Sequence, residues 1–153
     1  MKKILLTLIA IFSVGILSAM ADNDKVINKS QLPAPAQQFI NEHFAGIDIT
    51  YAKEEWDFLK HSYEVRLANG AKVEFSSKGA WDEVECRFGE VPSAIIPKAI
   101  KEYVDKNYPG EKVVRIEKDR NEYEVNLSNR IELKFDNKFN IYDIDDWYYN
   151  TTR

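Results

Sequence analysis

This 153-residue chain has one cysteine, two histidines and six glycines, so it is poor in the residues that build covalent staples and many metal cages. A lone Cys86 cannot close an internal disulfide, and the hydrophobic core must hold the fold without one. Zinc sites take three or four clustered Cys, His or carboxylate ligands, whereas His43 and His61 stand in no ligand spacing. No Ser-His-Asp or Cys-His arrangement sets a nucleophile beside its base, and no phosphate loop is present. These absences predict a non-enzyme with no catalytic residues, no metal site and no cofactor.

Positive charge is also short, with 21 Lys and Arg against 25 Asp and Glu. An acidic chain without a basic stripe is a poor partner for nucleic acid. The one long apolar run is at the start. Lys2 and Lys3 precede the stretch Ile4 to Leu17, and Ala19-Met20-Ala21 follows it as an A-x-A site. That pattern predicts a signal peptide over residues 1–21, because the run falls short of the ~20 residues a spanning helix needs. A lipoprotein would need a cysteine at the new N-terminus, and the only one is Cys86. The expected mature chain begins at Asp22, is periplasmic or secreted, and has no membrane insertion after cleavage. Loss of Lys2 and Lys3 from the 21 basic residues leaves 19 against 25 acidic ones.

What the chain does have is a pattern that returns. Tyr63-Glu64-Val65-Arg66-Leu67-Ala68-Asn69 recurs as Tyr123-Glu124-Val125-Asn126-Leu127-Ser128-Asn129. A Pro-led helical stretch lies upstream of each, over residues 32–46 and 96–110. Leu32, Ala36, Phe39, Ile40 and Phe44 form the apolar stripe of the first, and Ile96, Ile100, Tyr103, Val104 and Tyr108 that of the second. Self-similarity at this scale points to one supersecondary unit used twice. Residues 22–31 read as a flexible leader and 32–153 as a single domain, with one unit over 32–90 and the other over 91–153.

Tyr63, Val65 and Leu67 alternate with charged residues, as do Ala71, Val73 and Phe75. Opposed residues of an antiparallel pair share a face, so Leu67 must oppose Ala71. That leaves Ala68-Asn69-Gly70 as a three-residue loop closed by a left-handed glycine. The same register opposes Tyr123 to Phe135, Val125 to Leu133 and Leu127 to Ile131. Arg130 there replaces Gly70, at a cost of about 1 kcal/mol if left-handed. Further strands are expected over 81–88 and 140–147. Trp81 and Val84, like Ile141 and Ile144, are three apart, which predicts a bulge in each. With strands over 47–51 and 113–116, each unit reads as one helix and four strands. The expected fold is α+β: two tandem α-β-β-β-β repeats forming one antiparallel sheet, with both helices on one face.

Leu32-Pro33, Tyr63 to Phe75, Gly79-Ala80-Trp81, Ile96-Pro97 and Tyr123 to Phe135 follow in an order that resembles the PepSY-like, or β-lactamase-inhibitor-like, secreted proteins of Bacteroidetes-type bacteria. The resemblance spans roughly residues 28–148. It implies a sheet whose face opposite the helices is open and concave, and it suggests restraint of an enzyme partner. It supplies no residue motif that could be carried over. Phe139 in place of Gly79 and Arg130 in place of Gly70 are the departures.

Cys86, alternating with Val84 and Phe88, reads as core. Asp143, Asp145 and Asp146, like Glu83 and Glu85 in the first unit, read as a wet strand face without a calcium-loop pattern. The aromatic candidates are Trp56 and Phe58, in a four-residue insertion that reads as a loop, and Trp147, Tyr148 and Tyr149 at the C-terminus. Each set either anchors a partner or closes the edge of the core. The expectation is a non-catalytic binding protein meeting a protein partner through the open sheet face and hairpin loops. A small-ligand or peptide module and a self-associating envelope protein are the alternatives.

Overall fold

The computed structural model describes residues 24–57 and 60–146. Among them the chain forms β1 (Lys25–Ile27), a 3-10 turn (Lys29–Gln31), α1 (Ala34–His43), β2 (Ile49–Asp57), β3 (Lys60–Leu67), β4 (Ala71–Ser76) and β5 (Trp81–Cys86). Then follow α2 (Lys98–Asn107), β6 (Val113–Lys118), β7 (Glu122–Leu127), β8 (Ile131–Asp136) and β9 (Ile141–Asp146). All nine strands join one antiparallel sheet in chain order, β1 to β9. The fold is α+β.

Proline starts both helices. Pro33 and Pro97 sit at the N-caps with φ of −53° and −52°, where a missing amide costs nothing. Each helix is only 10 residues long, too short to persist alone in water. Packing holds them: Ala36, Ile40 and Phe44 of the first stripe are buried, as are Ile100 and Val104 of the second.

One row of side chains crosses most of the sheet. Ala52, Val65, Val73, Val84, Ile116, Val125 and Leu133 stand opposite one another from β2 to β8, and all are buried. Burying an aliphatic side chain of this size contributes ~1.5–3 kcal/mol. Phe75 and Phe135, two residues along from Val73 and Leu133, share that face. Phe39 of α1 meets Phe75 edge-on at 5.6 Å, and Tyr103 of α2 meets Phe135 at 5.4 Å. Both helices therefore cover the same side.

The predicted registers are present, with Tyr63 opposite Phe75, Val65 opposite Val73, Tyr123 opposite Phe135 and Val125 opposite Leu133. So are the two bulges, where pairing shifts between Glu74 and Phe75 and between Lys134 and Phe135. Matching turns close the hairpins: Gly70 N–H donates to Leu67 O at 2.9 Å and Arg130 N–H to Leu127 O at 3.0 Å. Arg130 is left-handed, φ 70°, as is Phe139, φ 64°.

Three expectations need correction. The leader expected over 22–31 contains β1, whose Ile27 is buried against the core opposite Ala52, so one buried side chain outweighs its polar composition. The strand expected over 81–88 ends at Cys86, and Phe88 points into solvent. The insertion around Trp56 is not a loop. It lengthens β2 and β3 into a longer hairpin, in which Glu55 opposes Ser62 and Trp56 opposes His61.

Candidate functional site

Alternate residues of the same strands build the face turned away from the helices. Along one row Lys53, Glu64, Glu74, Glu83, Glu117, Glu124, Lys134 and Asp143 stand opposite one another. Along the next stand Tyr51, Arg66, Lys72, Glu85, Arg115, Asn126, Glu132 and Asp145. Like charges directly opposite repel, so the consecutive glutamates of the first row need cations from the second. Lys72 and Arg115 lean in to supply them.

Glu83 is the hub. The Lys72 ammonium lies 2.5 Å from its Oε1 and Arg115 Nη2 donates to its Oε2 at 2.7 Å. The Lys72 contact is an ion pair without an aligned hydrogen bond, since Oε1 is buried and otherwise unpartnered. Burial works against the carboxylate, yet Arg115 and Lys72 outweigh it and hold Glu83 below its ordinary pKa. Burial likewise opposes the charged guanidinium of Arg115, and Glu83 with Glu117 more than restores it.

The network spreads both ways. Arg115 Nη1 donates to Asn126 Oδ1 at 3.0 Å, and Asn126 Nδ2 to Glu132 Oε2 at 3.1 Å. Lys134 lies 3.4 Å from Glu132. Toward β1, Arg66 and Tyr51 each donate to Glu64 at 2.9 Å, and Lys53 reaches Asp24 at 3.0 Å. The open face is a lattice of mutually paired charges with an acidic excess.

At the hairpin-loop end of this face lies a cleft of about 580 Å³. Phe88, Val114 and Leu127 supply apolar wall, and Arg87, Lys112 and Arg130 supply positive rim. Phe88 is 86% exposed. Its ring lies over Gly70 so closely that an added Cβ there would come within 2.6 Å of it. Sequence reasoning missed this feature because it continued the alternation of Val84 and Cys86 one step too far. The signal was Gly89, directly after Phe88, which punctuates the strand.

Of the predicted contact residues, Trp56 is 53% exposed but lies on the helix side of the sheet, not the open face. A register shift between Ile49 and Tyr51 puts Ala52, Glu54 and Trp56 on the core side. There the indole stacks on His61 with centroids 3.9 Å apart and planes 9° from parallel, and His61 bonds Glu54 at 2.9 Å. Phe58, Trp147, Tyr148 and Tyr149 lie outside the described residues. Cys86 is 6% exposed, and burial with help from Glu85 pushes its thiol up to about 11, which keeps it protonated and inert. Among the described residues no group of three or more His, Cys, Asp or Glu is arranged to hold a metal ion.

A single antiparallel sheet, helices on one side and charges on the other, defines an open-faced α+β scaffold. This chain belongs to the PepSY-like family, described as "putative beta-lactamase-inhibitor-like", which its residues 61–143 match. No curated protein matches it. Among solved structures it is similar to a "putative calcium-regulated periplasmic protein" of Bacteroides thetaiotaomicron, with 57% identity and a TM-score of 0.79 over 80% of this chain and 96% of that one. It is similar too to a "putative periplasmic protein" of Bacteroides vulgatus, with 50% identity and a TM-score of 0.79 over 82% and 98% of the two chains. A second protein of that species, described as a "putative periplasmic protein of unknown function", shares 40% identity with a TM-score of 0.77, over 80% and 99%. The protein is periplasmic, as these relatives are described. None of its described helices is long and apolar enough to cross a membrane.

Proposed function

We propose that the protein is a non-catalytic binding protein that engages a protein partner through the open sheet face and the hairpin loops at its end. The observation that carries this reading is Phe88, a fully presented aromatic beside an apolar-walled, cation-rimmed cleft at the margin of a rigid charged surface. Aromatic and arginine side chains dominate binding hot spots, and a fixed charge lattice selects partners by complementarity. The β-lactamase-inhibitor-like description of the family supports an enzyme as that partner. A signal peptide over residues 1–21 would deliver the chain to the periplasm. The fold is two tandem α-β-β-β-β units, a reading supported by the matched registers, bulges and turns of the two halves.

The cleft volume supports a second reading, since ~300–1,000 Å³ suits a small ligand or short peptide. Affinity capture from the source cell envelope separates the two. The expected result is recovery of a protein by the wild-type chain, loss of it with a Phe88→Ala, Arg87→Glu double variant, and retention with Trp56→Ala. Equal recovery by wild type and double variant would acquit the loop end.

A further inference from the structure

We propose that the outer edge of β9 accepts a strand from another protein, one carrying an arginine or lysine on the open face beside a branched aliphatic residue on the helix face. The molecule contains its own template for this. β5 and β9 hold the same register to the strand before them. Val84 opposes Val73 as Ile144 opposes Leu133; Glu83 opposes Glu74 as Asp143 opposes Lys134; Glu85 opposes Lys72 as Asp145 opposes Glu132. On its far side β5 receives β6. Ile116 lands opposite Val84, and both are buried, while Arg115 lands opposite Glu85 and reaches Glu83.

β9 has no such neighbour among the described residues, and it ends the sheet. Ile144 stands 52% exposed where Val84 is fully buried, and Tyr142 is 55% exposed. The carboxylates of Asp143 and Asp145 accept hydrogen bonds from the amides of Ile144 and Asp146, at 3.0 and 2.8 Å. These local caps blunt the edge against indiscriminate pairing. An incoming cation in the place of Arg115 would draw the carboxylates off, as Arg115 draws Glu83.

Charge decides the occupant. Two copies pairing through β9 would set Asp143, Asp145 and Asp146 against the same residues, and like charges across a ladder repel. The β1 edge of a second copy has the wrong parity. It puts Val26 on the open face and Lys25 with Ile27 on the helix face. A foreign strand with the β6 pattern satisfies both faces, by strand addition. This surface is separate from the loop-end cleft and independent of it.

The test is fluorescence anisotropy of a labelled peptide with the sequence of residues 112–118, titrated with the chain from Asp22 onward. Its control carries glutamate at the position of Arg115. The arginine peptide is expected to bind at least about ten-fold tighter than the control, and to slow amide hydrogen exchange across Ile141–Asp146. Ile144→Asp should abolish binding, an Asp143→Lys, Asp145→Lys double variant should reverse the preference, and Phe88→Ala should change nothing. The proposal is overturned if no saturable binding appears at millimolar peptide, or if the two peptides bind alike. It is equally overturned if Ile144→Asp binds as wild type, or if sedimentation shows self-association lost with Ile144→Asp, which would give the edge to a second copy.

Discussion

β5 and β9 make the same bulged turn away from the strand before them, and both alternate acidic with apolar residues, yet they end in different surroundings. Val84 is sealed between β4 and β6, whereas among the described residues Ile144 has a strand on one side only. The pattern of a strand thus fixes which way each side chain points, while its neighbours decide whether water reaches it. The same logic covers β2, to which the three residues of β1 give an outer neighbour, and Ala52 is buried. The contrast between β5 and β9 should appear directly in stability. Val84→Asp places an unpaired charge in the core and is expected to cost more than about 3 kcal/mol. Ile144→Asp should stay within about 0.5 kcal/mol. Urea denaturation of both variants checks this, and comparable losses would mean that the edge of β9 is covered in solution.

The turns offer a second contrast. Gly70 and Arg130 occupy equivalent left-handed positions, φ 84° and 70°, and Gly79 and Phe139 do so at φ 82° and 64°. The first half needs glycine for space as well as backbone freedom. A Cβ on Gly79 would meet Pro33 at 2.8 Å, and one on Gly70 would meet Phe88. In the second half Phe139 instead packs on Tyr123, with centroids 5.4 Å apart. Gly70→Ala should therefore destabilise by more than about 1 kcal/mol and displace Phe88, read as a change in its ring NMR signals. Arg130→Gly should stabilise by roughly 0.5–1 kcal/mol, the left-handed strain less the entropy glycine adds to the unfolded chain. A loss at Gly70 larger than the gain at Arg130 would show that the two turns share a geometry but not a packing environment.

Those turns also show what the sequence makes legible. Opposing Leu67 to Ala71 required nothing beyond the alternation of apolar residues, and the same argument yielded both bulges from the spacing of Trp81 to Val84 and Ile141 to Ile144. Periodicity failed where a strand changes neighbours or stops. It could not choose between a bulge and a turn where Trp56 falls on the opposite parity from Ile47, Ile49 and Tyr51, and the shift between Ile49 and Tyr51 is the bulge that turns Trp56 to the helix side. Nor could it end β5 at Cys86, since Phe88 keeps the parity of a buried residue while lying outside the strand. The cleft was illegible for a related reason. Arg87, Lys112 and Arg130 come from three separate segments, and only the pairing of β5 with β6 and of β6 with β7 brings them together.

The finest contrast is between Glu64 and Glu124, which hold the same place in the two repeated motifs while their pKa values depart from the ordinary one in opposite directions. Burial works against both carboxylates. At Glu64 the bonds from Arg66 and Tyr51, with Lys53 nearby, overcome it and lower the pKa from 4.5. At Glu124 the charges of Glu132 and Glu117 reinforce burial, Lys134 and Arg115 compensate only in part, and the pKa rises from 4.5. The stability contributions then have opposite signs. That of Glu64 is fully present above its unfolded value of about 4.5 and is lost as pH falls through its lower folded value. That of Glu124 is favourable below about 4.5, where the folded state holds its proton more firmly, and is lost as pH rises through the raised folded value. Carboxyl-carbon NMR titration should place the two midpoints on either side of the ordinary value. Near neutral pH, Glu64→Gln should destabilise and Glu124→Gln should stabilise, each by no more than about 1 kcal/mol, and both effects should fade in acid. Equal midpoints would mean that Arg115 serves Glu124 as fully as Arg66 serves Glu64, and that the two halves of the open face carry the same electrostatic surface to a partner.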